Sequence, residues 1–182
     1  SPHFAADGLC FAAGASGLLR STDHGVTFAD AYAALGLTER LATPAVALSP
    51  AFASDRTAFA GVHGAILRSL DRGATWQYSL LRTPAPVVTC LAVSPNYEED
   101  GIAFAGTLED GVFRSADRGG RWATWNFGLI DLAALCLAAS PAFAADETLF
   151  AGTETGLFRS ANGGRAWRET GLPTDIAPVL SL

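Results

Sequence analysis

The chain repeats itself. Ser1-Pro2-His3-Phe4, Ser49-Pro50-Ala51-Phe52, Ser94-Pro95-Asn96-Tyr97 and Ser140-Pro141-Ala142-Phe143 open four units whose starts lie 48, 45 and 46 residues apart. Self-similarity at such a period restricts a chain to arrays of one supersecondary unit, each burying its apolar face against its neighbours. The units run approximately 1–48, 49–93, 94–139 and 140–182 within a single domain, 1–182. Each opening leads to an Asp: Asp7, Asp55, Asp100 or Asp146. An apolar run then ends in Phe11-Ala12-Ala13, Phe59-Ala60-Gly61, Phe104-Ala105-Gly106 or Phe150-Ala151-Gly152. A second run ends in Arg-Ser, at Arg20-Ser21, Arg68-Ser69, Arg114-Ser115 and Arg159-Ser160.

From that Ser a third signature begins. It is built on Ser21, Asp23, Gly25 and Phe28 in unit one, and on Ser69, Asp71, Gly73 and Trp76 in unit two. Unit three has Ser115, Asp117, Gly119 and Trp122; unit four has Ser160, Asn162, Gly164 and Trp167. An Asp or Asn carboxyl or amide oxygen accepts bonds from backbone N–H groups just ahead of it and holds a hairpin turn. A Gly two residues on supplies the conformation the turn needs, and the aromatic residue opens the next strand with a large apolar surface to bury.

Each unit thus encodes four short strands, A to D. In unit three these are Val88–Val93, Ile102–Thr107, Val112–Ser115 and Trp122–Phe127. The runs are apolar on both faces, as in sheets stacked on both sides. Four antiparallel strands per period of ~40–50 residues predict an all-β propeller with four blades in this chain. Pro178-Val179-Leu180-Ser181-Leu182 resembles Val87-Val88-Thr89-Cys90-Leu91, the start of a strand A, whereas Ser1-Pro2 stands just past where strand A of the first unit would end. The last residues can therefore supply the missing strand. Closure within one chain gives four blades, exchange between two chains gives an eight-bladed homodimer, and a cut from a longer array needs neither.

Composition narrows the partners. The 182 residues are 49% hydrophobic and 16% charged, with net charge −6 and no Lys; the twelve basic residues are all Arg and lie singly. That excludes a basic nucleic-acid patch. No apolar run reaches the ~18 residues of a membrane span. The chain carries no signal-peptide pattern and no initiator Met, so it reads as a mature form, a trimmed form or a piece of a longer protein. Cys10, Cys90 and Cys136, an odd number without a CxxC pair, argue against a disulfide framework or zinc site. His3, His24 and His63 lack a metal-ligand spacing, and no phosphate-binding glycine motif is present, so neither metal nor cofactor is expected.

The Ser-x-Asp-x-Gly-x-Thr-Trp signature, present in four copies across the chain, resembles the BNR or Asp-box repeat. That repeat occurs in sialidases, sortilin-type receptors, xyloglucanases and photosystem assembly factor propellers. The resemblance implies a propeller with the boxes on C–D hairpins, away from the ligand face, so the sixteen box residues are assigned to structure. It also implies an extracytoplasmic setting, and it spans hydrolases, receptors and assembly factors, so it does not select a function.

A sialidase of this resemblance would need an Arg triad, a Tyr–Glu pair and an acid. Arg20, Arg68, Arg114 and Arg159 recur at one repeat position, which marks them as packing or hairpin residues, and Tyr32, Tyr78 and Tyr97 show no partner pattern. A xyloglucanase-like hydrolase would need two carboxylates across a cleft. Seven acids are repeat-coded and assigned to structure, and no catalytic residue is assigned among the rest. The variable B–C turns and D–A loops share the opposite face. They carry the ligand-face candidates His63, Glu109, Asp110, Glu154, Tyr32, Arg40, Tyr78, Arg82, Trp125 and Asp131, with Glu39, Asn126 and Asp175 beside them. The reading is a non-catalytic binding or scaffold propeller for a protein or carbohydrate partner. The alternatives are a glycoside hydrolase or fragment of one, and a self-assembling unit.

Overall fold

The structure, a computed structural model, describes residues 1–82 and 84–182, with Thr174 described by its backbone alone. It is all-β apart from single helical turns. Blade one holds β1 (Cys10–Gly14), β2 (Gly17–Ser21) and β3 (Ala29–Asp30). Blade two holds β4 (Ala45–Leu48), β5 (Ala58–Val62), β6 (Ala65–Ser69) and β7 (Gln77–Leu80). Blade three holds β8 (Val88–Val93), β9 (Ala103–Thr107), β10 (Val112–Ser115) and β11 (Ala123–Thr124). Blade four holds β12 (Ala134–Ala139), β13 (Leu149–Thr153), β14 (Leu157–Ser160) and β15 (Arg168–Glu169). Each sheet is an antiparallel meander in chain order, four-stranded in blades two to four and three-stranded in blade one.

Blades pack through their apolar faces. One core layer joins Leu18 and Tyr32 of blade one to Ala60, Leu67 and Trp76 of blade two. The next joins Phe59 and Ile66 to Ala103, Ala105 and Phe113, and the third joins Phe104 and Val112 to Leu149, Phe158 and Trp167. The innermost strands lie side by side, β4 against β8 and β8 against β12. The strand-B glycines permit that approach: a Cβ on Gly61 would collide with Val88, one on Gly106 would crowd Ala134, and one on Gly152 would collide with Val179.

Two features depart from the sequence expectations. The A–B connections wind into one-turn helices, α1 (Phe4–Asp7), α2 (Phe52–Asp55), α3 (Tyr97–Asp100) and α4 (Phe143–Asp146). Their Ser-Pro openings and closing Asp form a clasp. In unit one Ser1 Oγ donates to Asp7 Oδ2 (2.9 Å) and accepts from His3 N, while Leu9 N donates to Asp7 Oδ1; units two to four repeat it at Asp55, Asp100 and Asp146. The second departure is in strand D of unit three, expected over Trp122–Phe127 and paired only at Ala123–Thr124. There Asn126 Oδ1 accepts the Val112 N–H (2.8 Å), so a side chain takes the place of the ladder.

Among the described residues the C-terminal segment does not pair with β1, whose only strand partner is β2. Instead Val179 N donates to Thr153 O (3.0 Å) on blade four, and the Val179 side chain meets Gly152 just as Val88 meets Gly61. It occupies the place where strand A of a following blade begins.

Candidate functional site

The connections sort onto two ends. At one end the helical A–B turns bond the Asp-box hairpins: His24 N to Gly8 O, Arg72 N to Arg56 O, Arg118 N to Gly101 O and Gly163 N to Glu147 O. At the other end the B–C turns bond the D–A loops: Thr43 N to Gly14 O, Gly64 N to Pro86 O and Gly111 N to Leu132 O. The variable loops therefore share one face, opposite the boxes.

The boxes are built as hydrogen-bonded turns. In unit two Ser69 Oγ donates to Asp71 Oδ1 (2.8 Å) and accepts from Gly73 N, while Thr75 N and Oγ1 both donate to the Asp71 carboxylate. Unit one repeats this in full at Asp23, whereas at Asp117 and Asn162 the Ser hydroxyl and a backbone N–H, of Arg121 or Ala166, make the turn without a Thr hydroxyl. Bonds from the Thr27 hydroxyl and N–H hold Asp23 far below the ordinary carboxylate range. At Asp71 burial opposes ionisation, but the bonds from Thr75 and Ser69 outweigh it and the pKa is lowered.

On the opposite face most of the candidate residues bind the protein's own loops. His63 Nε2 contacts Ala85 O (2.9 Å). Glu109 Oε2 accepts from Val87 N (3.1 Å). Asp131 accepts from Ala133 N, Thr155 N and Thr155 Oγ1, and its pKa is lowered because those bonds outweigh partial burial. Asp110 is buried and forms a bidentate ion pair with the half-exposed Arg82, while Asn126 Nδ2 donates to Asp110 O (2.7 Å). These contacts tie the D–A loops after blades two and three to B–C tips.

Others fall elsewhere. Tyr32 is a core residue: its hydroxyl meets Thr43 Oγ1 (3.0 Å), its ring stands edge-on to Trp76, and burial pushes its pKa up to about 12. Tyr78 lies on β7, the outermost strand of blade two, and is exposed. Trp125 sits beyond β11 with the Arg114 guanidinium 4.5 Å and that of Arg165 5.6 Å from its ring. Arg40 and Glu39 line a cleft of about 360 Å³ with Ser16, Asp30 and Leu37, under the loop that follows blade one. Glu154 and Asp175 are exposed.

The face also exposes apolar side chains that the sequence reading did not single out, namely Leu108, Ile130 and Leu132. Their signal was present as apolar residues inside loops. Among the described residues no group of three or more His, Cys, Asp or Glu side chains could hold a metal, and no helix is long and apolar enough to cross a membrane.

Alternating A–B turns and Asp-box hairpins on a stack of antiparallel sheets are blades of the β-propeller fold, and solved propeller structures match them. The GH74 xyloglucanase from Xanthomonas campestris matches with TM-score 0.73 at 23% identity, over 94% of this chain and 30% of that one. The GH74 enzyme of Niastella koreensis matches with TM-score 0.76 at 18% identity, over 94% and 29%. YCF48 from Cyanidioschyzon merolae matches with TM-score 0.63 at 13% identity, over 91% and 54%, and YCF48 bound to a D1 peptide with TM-score 0.61 at 17% identity, over 88% and 48%. The chain thus spans less than a third of each GH74 enzyme and about half of YCF48. No family profile and no curated protein matches the sequence.

Proposed function

We propose that this chain is a non-catalytic propeller that presents its B–C and D–A loop face to a protein or carbohydrate partner. The observation that carries this reading is the use of the face's acids. Glu109 and Asp131 accept loop N–H groups and Asp110 is paired with Arg82. A glycosidase acid needs a raised pKa, whereas Asp131 is lowered. Exposed Leu108, Ile130 and Leu132, in loops of the same end as the Arg82 guanidinium, suit an extended polypeptide. YCF48, a structural relative, is known with a bound D1 peptide, which supports protein binding as the mode.

A peptide array followed by titration of the hits tests the reading. Binding that weakens at least tenfold on Leu132→Asp or Ile130→Asp supports it; hits insensitive to both overturn this placement of the site. The second reading, a xyloglucanase-like hydrolase, is favoured by the likeness to the two GH74 enzymes. Turnover of a glycan panel, abolished by Glu154→Gln or Glu109→Gln, would replace the first reading with it. We further propose that Pro178–Leu182 serves as strand A of the blade that completes a ring, in one chain or between two.

A further inference from the structure

The outermost strand of blade two departs from its counterparts. β3, β11 and β15 hold two residues each, whereas β7 runs from Gln77 to Leu80 in unbroken register with β6. The extension displaces a hydrogen bond that other junctions keep. Trp76 Nε1 donates to Ala31 O (3.0 Å) of the preceding blade, and Trp167 Nε1 to Trp125 O (2.8 Å). The equivalent acceptor for Trp122 is the carbonyl of Ser79, which follows Trp76 at the spacing by which Ala31 follows Phe28. Ser79 instead stays in the ladder opposite Ile66, and Trp122 Nε1 is buried without a partner among the described residues. A buried unpaired donor is costly, so the longer edge stands at the expense of the junction beside it.

That edge is open. Leu81 N donates to Gly64 O (2.9 Å), so by alternation Ser79 and Gln77 also turn their N–H and carbonyl groups toward β6. Those of Tyr78 and Leu80 turn outward, where β7 ends its sheet. The side chains of Tyr78 and Leu80, in register with Leu67 and Ala65, are 68% and 73% exposed. On the other face the Ser79 hydroxyl donates to Gly119 O (3.1 Å) and Gly120 O (3.0 Å) of blade three. Gln77–Leu80 carries no charge, proline or bulge, the devices that ordinarily guard an edge. The surroundings on the Ser79 face are cationic. Arg68 Nη2 donates to Gln77 Oε1 (3.4 Å) and Arg68 Nη1 to Arg118 O (2.7 Å), while Arg121, exposed, follows Gly120. The acids nearby, Asp71 and Asp117, are taken up by their own box turns. β7 belongs to a blade packed on both sides, against blade one and against blade three.

We propose that β7 accepts an extended segment of another protein as a fifth, antiparallel strand of blade two. The outward N–H and carbonyl groups of Tyr78 and Leu80 bond its backbone. Alternation then sets its chemistry. Residues opposite Tyr78 and Leu80 are apolar, and those on the other face are acidic, beside Arg68, Arg118 and Arg121. Charge selects against a second copy of this chain as the occupant. Two β7 strands paired about a twofold axis would bring the same arginines together, between chains of net charge −6. The site lies on the rim of blade two and is independent of the function proposed for the loop face.

A fluorescein-labelled peptide of alternating valine and glutamate tests the proposal, with anisotropy for affinity and hydrogen exchange for position. Saturable binding with slowed exchange of the Tyr78 and Leu80 amides is expected. The valine–lysine counterpart should bind about tenfold more weakly. Leu80→Pro removes an outward N–H that no bond within the blade uses, so circular dichroism should stay unchanged while binding falls about tenfold. A glutamate peptide N-methylated at every valine lacks the donors that face β7 and should not bind the unaltered chain, a reading that needs no variant to fold. Arg121→Glu should weaken the glutamate peptide and strengthen the lysine one. No saturable binding at millimolar peptide overturns the proposal, as does binding that leaves both amides exchanging at their former rates. Equal affinity for the glutamate and lysine peptides overturns the acidic partner. A parent chain that is dimeric by light scattering, and monomeric as Leu80→Pro, gives the edge to a second copy and overturns it too.

Discussion

At the scale of single residues, this protein spends its polar chemistry on turns and its aromatic residues on locks between blades. Phe59 is fully buried beneath Tyr97 and Trp122 and over Gly119. Phe59→Ala should cost about 3–5 kcal/mol, through lost burial and the cavity left behind, and urea unfolding would read it. Asp71→Ala removes the acceptor for Thr75 N, Ala74 N and Ser69 Oγ, and should cost about 1–2 kcal/mol by the same measurement. The pH dependence follows from the same carboxylates. Asp7, Asp71, Asp117 and Asp131 are all lowered in the folded state; burial opposes this at each, and bonds from neighbouring N–H and hydroxyl groups overcome it. Their contribution to stability is therefore complete above the unfolded carboxylate pKa of ~4 and lost as pH falls through the folded values. The melting temperature should vary little from neutral pH down to mildly acidic pH and decline below about pH 4, seen by thermal circular dichroism.

At the scale of elements, side chains finish what short strands leave undone. β11 spans two residues because Asn126 takes over, accepting from Val112 N and donating to Asp110 O. Val112 is buried, so Asn126→Ala leaves its N–H without an acceptor in a site water does not reach. The expected loss is about 1–3 kcal/mol in urea unfolding, and weaker amide protection at Val112 would localise it. The one-turn helices show the same economy. The Ser-Pro opening and the Asp six residues on were visible as repeated letters, but the turn they form was not. A four-residue helix has no periodicity to detect, and its clasp depends on two bonds converging on one Asp and a third on the opening Ser.

At the scale of the whole molecule, the ends matter most. Val179 lies against Gly152, and Cys136 Sγ is within 3.4 Å of Val179 O. Burial pushes the Cys136 thiol pKa up and that of Cys90 up to about 11, so both are poor nucleophiles in the folded protein. Deleting residues 178–182 should uncover Cys136 and raise its rate of maleimide labelling severalfold, leaving Cys90 slow; mass spectrometry of labelled peptides would measure both. Equal rates before and after deletion would contradict the packing of Val179 as the first residue of a strand A.

The sequence by itself determined the repeat, the number of blades in the chain, the strand content of each blade and the division into box residues and variable loops. Those depend on local letters recurring in register: Ser-Pro openings, Ala-Gly close approaches and box turns act within one unit. Tertiary structure decided where the variable residues went. Tyr32 went to the core, His63, Glu109 and Asp131 became loop tethers, and Asp110 was paired with Arg82. Each of those fates depends on a residue from a neighbouring loop or blade, at a distance that spacing along the chain does not encode.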